Sequence, residues 1–378
     1  MANVSVQIGV ASGNASTSLV RALASVAAQS LSVTYAWPGQ AANPVGYAAY
    51  GDGVLGTTAA GAISSGTSGS HVVYTKKKYS GVSTISANYV DFVQCDFDLG
   101  GGGLDLTGSN LTFTGCRFQS NNYTSWNVRT SASNYTFSYC SFTPLTSLYT
   151  SPPGGLWPSA GALLNTTTHV DNVNSVSGNS GYQYGILIEL GSVTADHCDF
   201  WGFGNAITLT NTTAQLNFTN NWIHDAADDS PQSYHTDGIG YLDGGTGTSN
   251  VLIQGNVIAS IANTNGIAFQ AATGGYSNIQ VDRNYLSGFG YLVSLGSVAG
   301  GVPVVSSTFT NNVFGTDIPY VWGPIKNDYT ADFHAHSNLW KGNRLRAISG
   351  TTLPSFWTSA DDGKFILPDS TASTTDFV

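Results

Sequence analysis

Charge is what this sequence has least of. Of its 378 residues only 9% are Asp, Glu, Lys or Arg, where an ordinary soluble domain carries roughly 25%. Lys and Arg number 12 against 22 acidic residues, a formal net charge of −10. A nucleic-acid binder needs a basic footprint. The basic run Lys76-Lys77-Lys78 is too short to supply one and suits a solvated edge. No stretch is long and apolar enough to span a membrane. Met1-Ala2-Asn3-Val4-Ser5 lacks a basic region followed by an apolar one, so no signal peptide is visible. Cysteine is limited to four residues, without C-x-x-C spacing. That favours buried thiols over a disulfide framework or a metal site. Glutamate occurs once, at Glu189.

What fills the chain instead is Gly, Ser, Thr and Asn, beside a hydrophobic content of 41%. The apolar fraction supports a large core and excludes disorder. Small polar residues in this proportion suit short strands joined by tight turns.

One pattern recurs: apolar-x-apolar-x-x-Cys/Asn-x-apolar. It reads Val90-Asp-Phe92-Val-Gln-Cys95-Asp-Phe97, then Leu111-Thr-Phe113-Thr-Gly-Cys116-Arg-Phe118, and continues through Cys140, Cys198, Asn221, Asn256, Asn284, Asn312 and Asn338. The marks are spaced 21, 24, 58, 23, 35, 28, 28 and 26 residues apart, and a weak copy near 171–176 splits the longest interval. Period-two alternation marks strands. A second pattern trails each mark, as in Tyr184-Gly-Ile186-Leu-Ile188, Asn205-Ala-Ile207-Thr-Leu209, Asp237-Gly-Ile239-Gly-Tyr241 and Asn265-Gly-Ile267-Ala-Phe269. Two repeats in one register predict an all-β protein, a right-handed parallel β-helix (β-solenoid) with coils of three short strands. Asn in left-handed turns, its amides stacked between coils, is the expected device at the marks, with Cys as a buried thiol ladder. Leu19, Val20, Leu23, Val26 and Ala27 lie on one helical face. They predict a short capping helix within an N-terminal entry region, 1–70. The β-helix is expected over 71–345, and a C-terminal cap or partner-contact arm over 346–378.

The long insertions, 119–127, 143–161 and 224–234, leave one corner just after the mark. Insertions on one face of a solenoid line its binding face. Trp126, Trp157, Trp201, Tyr182, Tyr184 and Tyr234 fall there, an aromatic rim suited to an elongated neutral or sugar-like ligand or, equally, to covering coil edges. The densest polar run is His224-Asp225-Ala-Ala-Asp228-Asp229-Ser-Pro-Gln-Ser-Tyr234-His235-Thr-Asp237. Asp228 or Asp229 paired with Asp237 is the expected acid/base set for glycoside hydrolysis, with Glu189 as an outward neighbour. Alternatively the carboxylates hold Ca²⁺ while His235 acts as base in a β-elimination, with Arg283 neutralising charge. The plain alternative is a polar loop whose Asp residues cap turns. His334 and His336 face the same way on a strand, and three chains would place six imidazoles on a symmetry axis, a transition-metal site; a solvated strand face is the stronger explanation.

The repeat resembles the pectate-lyase-like superfamily of right-handed β-helices over about 85–345. His235-Thr-Asp237-Gly238-Ile239 followed by Ser249-Asn250-Val251-Leu-Ile253-Gln-Gly255-Asn256 carries the likeness. That superfamily holds polysaccharide lyases, glycosidases and phage tailspikes, so the resemblance implies a fold more than a reaction. A lyase-type Lys/Arg cluster and the paired-Asp plus Gly-His-Gly signature of polygalacturonases are both missing. The lack of a visible export signal and the His-x-His pair are similar to bacteriophage tail proteins. The resemblance implies a homotrimeric minor tail or spike-like protein of the virion, in contact with other tail proteins, that binds host-surface glycan and in some relatives cleaves it. A free secreted polysaccharide hydrolase or lyase, and a non-catalytic adhesin, are the alternatives.

Overall fold

The computed structural model describes residues 46–120, 126–143, 160–164, 168–171, 174–175, 182–188, 192–201, 203–209, 215–224, 226, 236–241, 249–262, 264–270, 275–296, 304–315, 318, 323–327, 337–345 and 367–368. The expected capping helix and nearly all of 346–378 lie outside them.

Each coil visits three sheets in turn. Val90–Val93 lies in the first, Asp96–Asp98 in the second and Leu104–Leu106 in the third; Leu111–Thr114 then returns to the first, one coil up. The described strands make sheets of 12, 13 and 10 members, paired in parallel coil to coil. Alternation decides what goes inside. Val90, Phe92, Phe97, Leu104 and Leu106 are fully buried, while Asp91, Val93, Asp98 and Asp105 face out. The weak sequence copy is a coil of its own: Thr168–Asp171 and Asn174–Ser175 pair with strands on both sides.

Because every coil presents the same position at the same height, like residues stack. Phe92, Phe113 and Phe137 form one column with ring centroids 4.9 and 5.0 Å apart. Tyr79, Phe97, Phe118 and Phe142 form a second, at 4.8, 4.8 and 5.2 Å. Edge-to-face contacts join the columns. Each such pair adds about 0.5–1.5 kcal/mol beyond simple burial.

The turn between the first and second sheets is a column of left-handed residues: Gln94, Gly115, Tyr139, His197, Asn220, Gly255, Arg283, Asn311 and Gly342, with φ of 50–69°. This corrects one expectation. The left-handed residue is the one before each mark, not the mark itself. The reversal it makes points the following Cys or Asn inward, where an amide can bridge coils. Asn221 donates its backbone N–H and its Nδ2 to Oδ1 of Asn256, at 2.8 and 3.1 Å. Asn256 repeats this with Asn284, Asn284 with Asn312, and Asn312 with Asn343. Each Nδ2 also donates to a carbonyl of the preceding coil, such as Phe218 O from Asn256 at 2.9 Å. The ladder therefore satisfies buried backbone groups that the turn takes out of the sheets.

Cysteines occupy the same column in the N-terminal half. Cys95, Cys116, Cys140 and Cys198 are free and buried, and Cys116 and Cys140 donate Sγ–H to Phe92 O and Phe113 O. The columns join where Cys198 N–H donates to Asn221 Oδ1. The last repeat is shifted from its sequence reading. Asn343, not Asn338, continues the ladder. Asn338 instead accepts from Ser307 N–H, because Leu339–Lys341 belongs to the first sheet and pairs Trp340 with Phe309.

The first coil is closed by an extended segment. Thr58–Ala59 pairs with Lys77–Lys78. Ala60 N–H then donates to Lys78 O, and Gly66 N–H to Asn88 O. Upstream, residues 46–56 run back along the solenoid as a strap. Gly56 N–H donates to Gln94 O, Asp52 meets Lys76 and Gln94, and Tyr47 N–H reaches Ser141 Oγ in the fourth coil. Arg117 lies over the Tyr47 ring.

Candidate functional site

The strand boundaries place both ends of each of the three insertions at the corner between the second and third sheets. Each connects a second-sheet strand to a third-sheet strand: Arg117–Gln119 to Trp126–Thr130, Ser141–Thr143 to Ala160–Leu164, and Trp222–His224 to Ile239–Tyr241. Register stacks the starts of the third-sheet strands. Trp126 pairs with Ala160, Ala160 with Tyr184, and Tyr184 with Asn205. Tyr182 pairs with Phe203, and Trp201 pairs with His224. Coils rise about 4.8 Å each, so these strand ends bring the aromatic backbone positions into one rim.

On the outward face of the second sheet, next to that rim, the structure assembles a group that the sequence reading left unassigned. His224 Nε2 lies 2.8 Å from Asp199 Oδ1, and both residues are buried. The Trp222 ring stacks on the His224 imidazole at 3.6 Å. Register explains the meeting: Asp199 is the direct neighbour of Trp222, and Trp201 that of His224. The available signal was the outward parity of Asp199, Trp222 and His224 one coil apart. Beyond them the outer face turns apolar, with Trp222, Val257, Ala259, Tyr285, Val313 and Ile318 forming a second buried cluster outside the solenoid core. The Trp222 group thus sits where a charged face meets an apolar one. On the charged side Asp96 and Arg117 pair through two 3.0 Å contacts.

Asp237 sits elsewhere than expected. It is 6% exposed and belongs to a second amide ladder in the turn entering the third sheet. Its N–H donates to Asn205 Oδ1, and its Oδ1 accepts from both N–H and Nδ2 of Asn265, each at 2.8 Å. Asp237 shares inward parity with Ile239, which draws its carboxylate into the corner and off the open rim. Gly238 follows because a Cβ there would meet the Gly266 carbonyl at 2.5 Å.

Arg283 is not on this flank at all. It occupies the left-handed turn between first and second sheets at φ 52° and pairs with Asp282 at 2.8 Å. Burial pushes the Asp282 carboxyl up, but donors from Thr310, Gln254, Asn311 and Arg283 outweigh it and hold the pKa below the ordinary value. The same arrangement recurs at Asp196, with Thr219, Asn220 and His197 as donors. Arg283 is therefore a structural clip and does not neutralise a ligand at the rim. Asp228, Asp229, His235, Glu189, Trp157, Tyr234, His334 and His336 lie outside the described residues. Among the described residues no three His, Cys, Asp or Glu side chains are placed to hold a metal ion.

The family model for the right-handed β-helix region matches residues 60–223. With three sheets paired in parallel coil after coil, this settles the handedness as well as the architecture. The chain is a right-handed parallel β-helix. Among solved structures the β-helix is similar to the Dettilon tailspike protein (gp208), with 15% identity and a TM-score of 0.38 over 65% of this chain. It spans 56% of that protein's length. No curated protein matches the sequence.

Proposed function

We propose that the flank between the second and third sheets holds an elongated glycan, and that the β-helix is a virion tail component, minor tail or spike-like, which reads host cell-surface polysaccharide. The observation that supports this best is that the bounding strand ends of all three insertions, and the aromatic strand ends Trp126, Tyr182, Tyr184 and Trp201, fall at one corner. A linear polymer lying along the axis would meet a new coil every 4.8 Å or so. Sugar rings stack on aromatic faces, and a net charge of −10 favours a neutral glycan over a polyanion. Cleavage is a second reading. It is favoured by the buried His224–Asp199 pair at the rim, an oriented imidazole suited to proton transfer; Asp228, Asp229 and His235, which follow His224 in the sequence, are the proposed acid/base partners. The homotrimer, the tail-protein partners, and a Ca²⁺ or axial transition-metal site at His334 and His336 belong to this proposal and await test.

Binding to a panel of bacterial surface polysaccharides tests it. At least one neutral member should bind, and Trp201→Ala and Trp126→Ala should each weaken it by about tenfold. Binding untouched by both substitutions would overturn the assignment of this flank. Reducing ends released by the wild type but not by His224→Asn would establish cleavage. Sedimentation as a monomer would remove the trimer and its axial metal.

A further inference from the structure

The corner between the first and second sheets is held in two different ways along the solenoid. From Asn221 onward it is held from inside. Asn221 and Asn256 each accept on Oδ1 the N–H of the mark in the preceding coil, and each donates Nδ2 to a carbonyl of that coil. The cysteines reproduce half of this. Cys95, Cys116 and Cys140 donate Sγ–H to Tyr74 O, Phe92 O and Phe113 O, at 3.3, 3.4 and 3.3 Å. Phe92 and Phe113 lie three residues before the preceding mark, as does Phe218, which Asn256 Nδ2 reaches. A thiol sulfur is at best a weak acceptor. The Oδ1 half of the ladder therefore has no counterpart between the cysteine coils.

Outside the same corner lies the strap of residues 46–56, and it covers these coils. Its contacts fall at or beside the left-handed turn of each. Asp52 meets Lys76 in the first coil, and Asp52 and Gly56 N–H meet Gln94 in the second. Tyr50 sits over Gly115 in the third coil and beside Tyr139 in the fourth, where Tyr47 N–H also reaches Ser141. The Tyr50 seat depends on a missing side chain: a Cβ on Gly115 would lie 2.6 Å from the ring. The strap is held at the surface, with the Asp52 and Lys76 side chains 56% and 39% exposed.

We propose that the strap is a latch. It does from outside what the amides do from inside, and its release loosens coils one to four while the asparagine coils stay closed. One surface segment then sets the opening of a whole end of the molecule. The loosening stops short of the amide-bonded coils because a coil touches only its neighbours.

Hydrogen exchange on the full chain tests this at matched amides. Gly115, Arg117 and Ser141 donate to Ser138 O, Cys95 O and Cys116 O in the cysteine coils; Gly255, Val257 and Tyr285 donate to Asp282 O, Asn221 O and Asn256 O in the asparagine coils. Tyr50→Ala empties the Gly115 seat, so it should speed exchange of the first set about tenfold and leave the second unchanged. Cys116→Asn with Cys140→Asn supplies the missing Oδ1 acceptors. Added to Tyr50→Ala, that pair should return the first set toward wild-type rates, a rescue that a purely local role for Tyr50 would not allow. If the asparagine pair does not fold, Asp52→Ala decides: a strap that lifts as a unit should speed the Ser141 amide at its far end as well as those near Gln94. The proposal is overturned if both sets speed alike, if neither changes, if a folded asparagine pair gives no rescue, or if Asp52→Ala acts only on its immediate neighbours.

Discussion

Replacing Asn256 by Ala tests the amide ladder at its middle. The side chain is fully buried and makes four hydrogen bonds: Nδ2 to Phe218 O and to Asn284 Oδ1, and Oδ1 from the N–H and the Nδ2 of Asn221. Each is worth about 1 kcal/mol net, and the carbonyl and amide left behind have no water to turn to. With the gap left inside, the expected loss is about 4–5 kcal/mol, a large part of the roughly 5–15 kcal/mol that holds a domain together. The loss should be local as well as global, since a coil touches only its neighbours. Urea unfolding gives the global value, and exchange of the Asn221 amide, which loses its acceptor, gives the local one. Asn256→Asp sharpens the test. At neutral pH it removes a donor and buries a charge, so it should cost more than Ala. Burial raises the pKa of the new carboxyl, so stability returns as pH falls through that raised value. A loss below about 1.5 kcal/mol for Ala, or unchanged exchange at Asn221, would show that the amides do not carry the turn.

Asp237→Asn should leave the unfolding free energy within about 1 kcal/mol of wild type, since an amide Oδ1 still accepts from Asn265; Asp237→Leu should cost about 2–4 kcal/mol in the same urea assay. Gly288→Ala should destabilise by more than about 2 kcal/mol, because its Cβ would meet the Ser260 carbonyl and φ is +82°. The depressed carboxyls of Asp196 and Asp282 contribute stability that is present above their unfolded pKa and lost as pH falls through the lower folded value. The acid-unfolding limb should therefore lie below pH 4 or so, and Thr310→Val should move it upward.

Much of this fold is legible in the sequence because a solenoid turns one-dimensional periodicity into vertical stacking. Phe92, Phe113 and Phe137 share a column because they share a place in the repeat, and no long-range guess is needed. Two readings went astray where the repeat itself is degenerate. Near Asn338, two Asn residues five apart both fit the mark, and only the pairing of Trp340 with Phe309 separates them. Asp237 reads as a catalytic carboxylate because it closes the most acidic run of the chain, yet its parity with Ile239 already pointed inward, toward the turn role that Asp shares with Asn. The His224–Asp199 pair was harder to see, since the partners are 25 residues apart and meet only when adjacent coils are laid in register. Arg283 was misplaced because conformation, not chemistry, set its position: the left-handed turn recurs there whatever side chain fills it.

The strap along residues 46–56 has a mechanical corollary. A tether pulling on Gly46 does not peel the terminal coil first, because the described chain begins beside Ser141 and descends three coils before entering the stack. Load would instead enter as shear on a row of contacts at Tyr47, Asp52 and Gly56, spread over four rungs at once. Rupture under such geometry is governed by an unfolding rate, not by an equilibrium, and shear across parallel contacts resists force better than unzipping them singly.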